Sequence, residues 1–385
     1  MKILHVCLAC FYIDNYSYQE NELPKYHKMA GHEVEIVASL VTFDKNGSIT
    51  LYEKGGSYTN EHGIPVTRLE YAKGPLASRL RVYKGFRDYL FKSRPEIVFV
   101  HGCQFWDARI VAEYAKNDKN VRVFVDNHSD FSNSATNWLS KNVLHKLVWR
   151  ACAKKIEPYT RKFYGVLPAR VDFLRDVYGI DPKKVELLVM GANDELVAEA
   201  KADSLRGSIR EQYGIKRDDF LIMTGGKIDL AKTQTLLLMK AVGQMYEDRF
   251  RLIVFGSVVE ELKEELSSLV DGKKVQYIGW IQAKDAYRYM AAADLMVFPG
   301  RHSVLWEQAA GLGIPMLIKH WEGTTHLDLG GNCEFLYEDS VDEIKAKIRL
   351  ISSKDRYEPM RRAAEDKGMK TFSYREIARR SIIDE

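Results

Sequence analysis

Short apolar runs alternate with longer amphipathic stretches along nearly the whole chain. Ile3–Leu8, Glu33–Ser39, Pro65–Glu70, Ile97–His101, Val121–Asn127, Tyr164–Leu167 and Val185–Val189 read as strands of a first half. Between them the apolar period is that of a helix over Ser17–Ala30, Ser78–Lys92, Trp106–Ala115, Ser134–Tyr159 and Ala169–Val177. Runs such as Ile97-Val98-Phe99-Val100 leave no polar face, as expected of parallel strands covered by helices on both sides. A turn-rich stretch, Met190-Gly191-Ala192-Asn193-Asp194, interrupts the alternation. It resumes with strands at Phe220–Thr224, Phe250–Phe255, Val275–Ile278, Leu295–Phe298, Pro315–Ile318 and Glu334–Leu336. Helical patterns intervene at Thr233–Met245, Glu260–Leu269, Ala283–Ala293, Ser303–Gly311 and Asp342–Ile351. The pattern predicts an α/β chain of two Rossmann-like, doubly wound parallel-sheet domains, 1–190 and 191–365. A terminal helix over 366–385 is expected to pack back onto the first.

Length and composition agree with this reading. A chain of 385 residues outgrows one ordinary core. Its 46% apolar and 29% charged residues are those of a globular protein. No run approaches the roughly 18 apolar residues that span a bilayer. Met1–Val6 reads directly as a strand rather than a leader, and five scattered cysteines suit reduced thiols, so a cytoplasmic location is expected. Cys7 and Cys10 are spaced like a redox or metal pair, yet no second pair accompanies them, and core packing is the expectation. The net charge of +4 hides an excess of Lys and Arg between residues 76 and 175. A basic segment suits an anionic membrane, an anionic substrate or nucleic acid. No recognised nucleic-acid-binding motif accompanies it, so nucleic acid is not expected as a partner.

Ligands of doubly wound sheets bind beyond the carboxyl ends of the strands. There is no GxGxxG, GxxxxGK[ST], Asp-x-Asp, GxSxG or histidine cluster with metal spacing. The loops of the second half instead carry features suited to a diphosphate. Gly225-Gly226-Lys227-Ile228 follows an apolar strand, and Lys232 precedes the next helix. Two glycines let backbone approach an anion, and lysines near a helix N-terminus add charge to free N–H donors. Phe298-Pro299-Gly300-Arg301-His302-Ser303-Val304-Leu305-Trp306-Glu307 reads as a strand end, a turn and a helix start. Glu307 falls one helical turn past Ser303, where a carboxylate can accept both hydroxyls of a ribose.

These residues resemble the retaining glycosyltransferases of family 4, which have the GT-B fold. Gly226-Lys227 with Lys232 is similar to that family's Gly-Arg/Lys-x(4)-Lys element. Phe298-Pro299 resembles its strand end, and Glu307 with Ala309, Gly311, Gly313 and Pro315 its glutamate-bearing helix. Ala30-Gly31-His32-Glu33-Val34, Val98-Phe99-Val100-His101-Gly102 and Asn127-His128-Ser129-Asp130 resemble its steps in the first half. Two departures are visible. Pro299 stands eight positions before Glu307, where the family has its first glutamate, and His302 or Ser303 is the candidate replacement. Ile13–Gln19 replaces the Gly-rich turn after the first strand.

The resemblance implies two domains facing across a cleft and transfer of a sugar from a nucleoside diphosphate, UDP above all, to an acceptor hydroxyl with retention. Gly225, Gly226, Lys227, Lys232 and the helix start at His302, Ser303, Val304 and Leu305 would hold the diphosphate and donor sugar without metal. Glu307 would hold the ribose, Trp280 and Ile281 would border the base, and His128 would position donor sugar or acceptor. The basic, aromatic-bearing stretches Ser78–Lys92 and Trp138–Lys155 suit an anionic membrane face and a polyprenyl-diphosphate-linked or other glycan acceptor in cell-surface polysaccharide synthesis. A non-catalytic nucleotide-binding protein and a sugar-nucleotide epimerase of the same fold are the alternatives.

Overall fold

The computed structural model describes residues 1–44, 49–135 and 137–383. The chain divides into two compact units, Met1–Met190 with Tyr374–Glu385, and Gly191–Ser373. Each is an α/β layer structure built on a mainly parallel sheet.

Among the described residues, the sheet of the first unit runs Val185–Leu187, Thr160–Gly165, Arg122–Asn127, Ile97–His101, Lys2–Cys7, Glu33–Ser39, Pro65–Leu69, Gly56–Thr59. All neighbours are parallel except the last pair. Ile3, Leu4, Val6, Val98, Val100, Val123 and Val125 have no exposed surface, as two-sided strands require. The edge strand Gly56–Thr59 gave no periodic signal, because it is short and exposed along its whole length.

Three helices differ from the expected pattern. Ser78–Lys92 is two short helices, Ala77–Leu80 and Phe86–Ser93. Arg81 (φ 56°) and Gly85 (φ 75°) lie between them in left-handed conformations that an α-helix cannot continue. Within Ser134–Tyr159, the chain winds as a π-helix over Ser140–Trp149 and continues as an α-helix over Arg150–Ile156; Thr136 lies outside the described residues. The terminal segment expected over 366–385 is the end of Lys354–Phe372, then Tyr374–Ser381. Extended backbone at Ser373 (ψ 119°) separates them, and only the second helix belongs to the first unit. Residues 384 and 385 of that expectation lie outside the described residues.

The sheet of the second unit is wholly parallel, in the order Val275–Tyr277, Phe250–Phe255, Phe220–Gly225, Leu295–Phe298, Met316–Lys319, Cys333–Leu336. From Phe220–Gly225 the chain first builds outward to one side, then returns to Leu295–Phe298 and builds to the other. The crevice between those two strand ends is the switch point at which such sheets bind ligands. Ile222, Leu252, Val254, Leu295, Val297 and Leu317 are fully buried beneath it.

Candidate functional site

Phe220–Gly225 ends in a turn that only glycine can make. A Cβ on Gly225 would lie 2.1 Å from the Phe255 ring, and Gly226 has φ +118°. The Gly226 N–H donates to the Phe255 carbonyl (3.1 Å), and the Lys232 N–H to that of Asp229 (2.8 Å). Helix Gln234–Gln244 follows at once. On the neighbouring strand, Leu295–Phe298 leads through Pro299, Gly300 and Arg301 into helix Leu305–Leu312. No side chain caps that helix, and the Trp306 N–H bonds back to the Ser303 carbonyl (3.0 Å). Trp306 is buried and stacks on Phe298 with ring centres 5.7 Å apart.

Gly225, Gly226, Lys227, Lys232, Arg301 and Ser303 line one cavity at this switch point. Three cations thus converge. Burial, then Arg301 and Lys227, lower the Lys232 pKa, with Asp229 opposing. An anion placed there gains from all three cations and from the helix end.

The other expected residues of this unit do not line the cavity. Glu307 is fully buried. Its Oε1 lies 2.8 Å from His302 Nε2 and 2.9 Å from His326 Nε2, and its Oε2 has no hydrogen-bond partner among the described residues. Burial alone would raise this carboxyl; His302 and His326 outweigh it and hold it at about 2. His302 is therefore committed to Glu307, while Ser303 faces the cavity. Val304 caps helix Leu305–Leu312, and a Cβ on Gly226 would touch Leu305. Trp280 and Ile281 follow strand Val275–Tyr277, with Trp280 69% exposed. Their loop is tied inward by a hydrogen bond from the Gly256 N–H to the Gly279 carbonyl (2.7 Å).

His128 belongs to the first unit and follows strand Arg122–Asn127. Its Nε2 lies 3.3 Å from Asp126 Oδ2 and 3.8 Å from Glu20 Oε1, within reach of both charges but hydrogen-bonded to neither. Glu20 and Asp126 raise its pKa against the effect of burial. Behind Asp126 stand the buried rings of His101, His5 and His27. Donor atoms of His101, Asp126 and His128 converge, as do those of His302, Glu307 and His326. In the first set both nitrogens of His101 are already committed, to Asp126 and His5. In the second, hydrogen bonds from both histidines satisfy the shared oxygen.

Arg301, His326, His5 and His27 carry no motif, while His101 lies in the segment Val98–Gly102 that does. Arg301 and His326 reach their partners only through the fold. His5 did leave a signal, a polar residue inside an otherwise apolar strand.

Residues 219–353 match the family model described as Glycosyl transferases group 1. No curated protein matches the chain. Among solved structures, a glycosyltransferase from Rickettsia africae ESF-5 superposes with a TM-score of 0.69 at 15% identity, covering 99% of this chain and 96% of that one. Anabaena HepE, solved with UDP-glucose, gives 0.65 at 14% identity over 99% and 98% of the two chains. WaaG, a glycosyltransferase involved in lipopolysaccharide biosynthesis, gives 0.65 at 13% identity over 98% of each. The chain has the GT-B fold of two Rossmann-like parallel-sheet domains, and its second domain matches the group 1 glycosyl transferases over residues 219–353.

Proposed function

We propose that the chain transfers a sugar from a nucleoside diphosphate sugar, UDP-linked, to an acceptor hydroxyl, with retention of configuration. One observation carries this reading: Lys227, Lys232 and Arg301 converge with a diglycine turn at the switch point of the second unit. Breaking the anomeric bond leaves negative charge on the diphosphate and oxocarbenium character on the sugar. Preorganised cations and helix N–H donors aimed at the diphosphate act most strongly on that developing charge. In this reading they serve in place of a metal ion. Glu307 holds the ribose, Trp280 and Ile281 border the base, and His128 positions the donor sugar or the acceptor. The UDP-glucose bound by Anabaena HepE supports the choice of nucleotide.

The acceptor is a glycan or lipid-linked hydroxyl of cell-surface polysaccharide synthesis. Trp138 (73% exposed), Leu139 and Leu147 stand exposed beside Lys141 and Lys146, a composition suited to an anionic membrane surface. No described helix is long and apolar enough to cross a membrane, so contact would be peripheral. Calorimetry with UDP in the presence of EDTA tests the metal-free site. Binding is expected. Loss of affinity in EDTA with recovery on adding Mn²⁺ would contradict it.

A further inference from the structure

Three histidines of the first unit, each on a different element, form one line. His5 lies in strand Lys2–Cys7, His101 ends the neighbouring strand Ile97–His101, and His27 sits on helix Gln19–Met29. His27 Nδ1 is 3.0 Å from His5 Nε2, and His5 Nδ1 is 2.9 Å from His101 Nε2. His101 Nδ1 is 2.8 Å from Asp126 Oδ2. At the far end, His27 Nε2 is 2.9 Å from the Ala378 carbonyl oxygen and 3.1 Å from Ser381 Oγ, on helix Tyr374–Ser381. All four ionisable side chains are buried.

The protons in this line follow from the end that cannot vary. A carbonyl oxygen only accepts, and the Ser381 hydroxyl already donates to the same Ala378 oxygen (2.9 Å), so His27 carries its proton on Nε2. Its Nδ1 then accepts from His5 Nε2–H. His5 Nδ1 in turn accepts from His101 Nε2–H, and His101 still has Asp126 to serve from Nδ1. His101 is therefore the charged member and Asp126 its counter-ion, while His5 and His27 are neutral. Gln19 Nε2, also 3.3 Å from Asp126 Oδ2, needs the same unprotonated oxygen. The electrostatics agree. Burial holds His5 well below its usual range and His27 at about 3. Asp126, with smaller help from Cys7 and Glu20, overcomes burial and pushes His101 up to about 9.

We infer that His27, His5 and His101 are positioning residues for His128: their fixed protons keep Asp126 an ionised carboxylate beside His128, so the ring stays protonated and meets its ligand as a hydrogen-bond donor rather than a base. This rests on the placement of His128 in the transfer reaction. The groups facing His128 are Asp126 from its own strand, Glu20 from helix Gln19–Met29 and Arg170 from helix Pro168–Asp176. The two carboxylates favour the doubly protonated ring, and Arg170, itself paired with Asp130 (3.1 Å), opposes it. A cationic His128 offers Nδ1–H to a ligand oxygen, such as a sugar hydroxyl or an anionic group.

Ring-nitrogen NMR of the full chain with labelled histidine tests the line without any turnover. Between about pH 5.5 and 8, the range where an ordinary histidine titrates, His5 and His27 should each show one proton, on Nε2, and His101 two. Asp126→Asn lets the line close without charge, because an amide nitrogen in the Oδ2 position donates to His101 Nδ1 and leaves His128 Nε2 facing a neutral donor instead of a carboxylate. In that variant His101 should turn neutral and the His128 midpoint should fall by about one pH unit. A neutral His101 in the parent protein, a proton on His5 Nδ1, or an unmoved His128 midpoint would overturn the inference. The alkaline limb of the pH–rate profile should move with the NMR midpoint. A limb that stays in place while the midpoint moves overturns the positioning role and leaves nucleotide-sugar transfer itself untouched.

Discussion

Lys232 shows at the scale of one residue how the site separates stability from function. Its pKa is lowered chiefly by burial, with Arg301 and Lys227 adding to this and Asp229 opposing it, so its charge costs stability in the folded chain. Lys232→Ala should therefore melt no lower than the parent while losing on the order of 10²-fold in turnover. Melting curves and steady-state rates check the two halves, and unchanged turnover would reduce Lys232 to a helix-flanking charge. Glu307→Gln should weaken UDP and UDP-sugar by similar factors, because the ribose is common to both; calorimetry with each ligand decides. A loss confined to the UDP-sugar would assign Glu307 to the sugar instead. Gly225, Gly226, Lys227 and Lys232 were legible because they fall in one loop between an apolar strand and a helix. Arg301 and His326 were not. Arg301 completes its cluster across two strand ends, and His326 reaches Glu307 from 19 positions away.

At the scale of elements, the strands were easier to read than the helices of the basic segment. Buried parallel strands carry short continuous apolar runs, so the parallel strands of both sheets could be located from the sequence, while the exposed antiparallel strand Gly56–Thr59 could not. Helix Ser78–Lys92 could not, because left-handed Arg81 and Gly85 break it without changing its amphipathic pattern. Arg81 also turns out to brace the fold. Its Nη1 donates to the carbonyls of Ala9 and Gln104, both at 2.8 Å, and its guanidinium faces the Trp149 ring. Replacing it would confound a test of membrane contact. The neighbouring segment serves better: Trp138→Ser with Leu147→Ser, and separately half-buried Lys141→Ser with exposed Lys146→Ser. Sedimentation with anionic vesicles should show binding that weakens in both pairs and as salt rises, since each basic residue contributes about 1 kcal/mol within a Debye length. UDP affinity should be unchanged. Equal binding to neutral and anionic vesicles would remove the electrostatic part of the account.

The whole molecule couples its two termini through the first unit. Helix Tyr374–Ser381 belongs to that unit and supplies the carbonyl that fixes the proton on His27. A histidine held at about 3 in the fold takes up its proton only on unfolding, so the unfolded chain binds more protons between about pH 3 and 6.5. Stability should therefore fall on acidification through that window, with a slope of about 1.4 kcal/mol per pH unit for each such histidine. Denaturant titrations of the parent and His27→Gln at several pH values should show a shallower slope in the variant; parallel slopes would contradict a neutral His27. The central claim concerns the second unit, whose Gly225–Lys232 loop and Arg301 are read as the donor diphosphate site. Its most direct test is UDP release from a panel of UDP-sugars in EDTA, comparing the parent with Lys232→Ala. The parent should consume at least one UDP-sugar, and Lys232→Ala should consume it about 10²-fold more slowly. A parent that binds UDP yet consumes none of the panel, or a variant as fast as the parent, would contradict it.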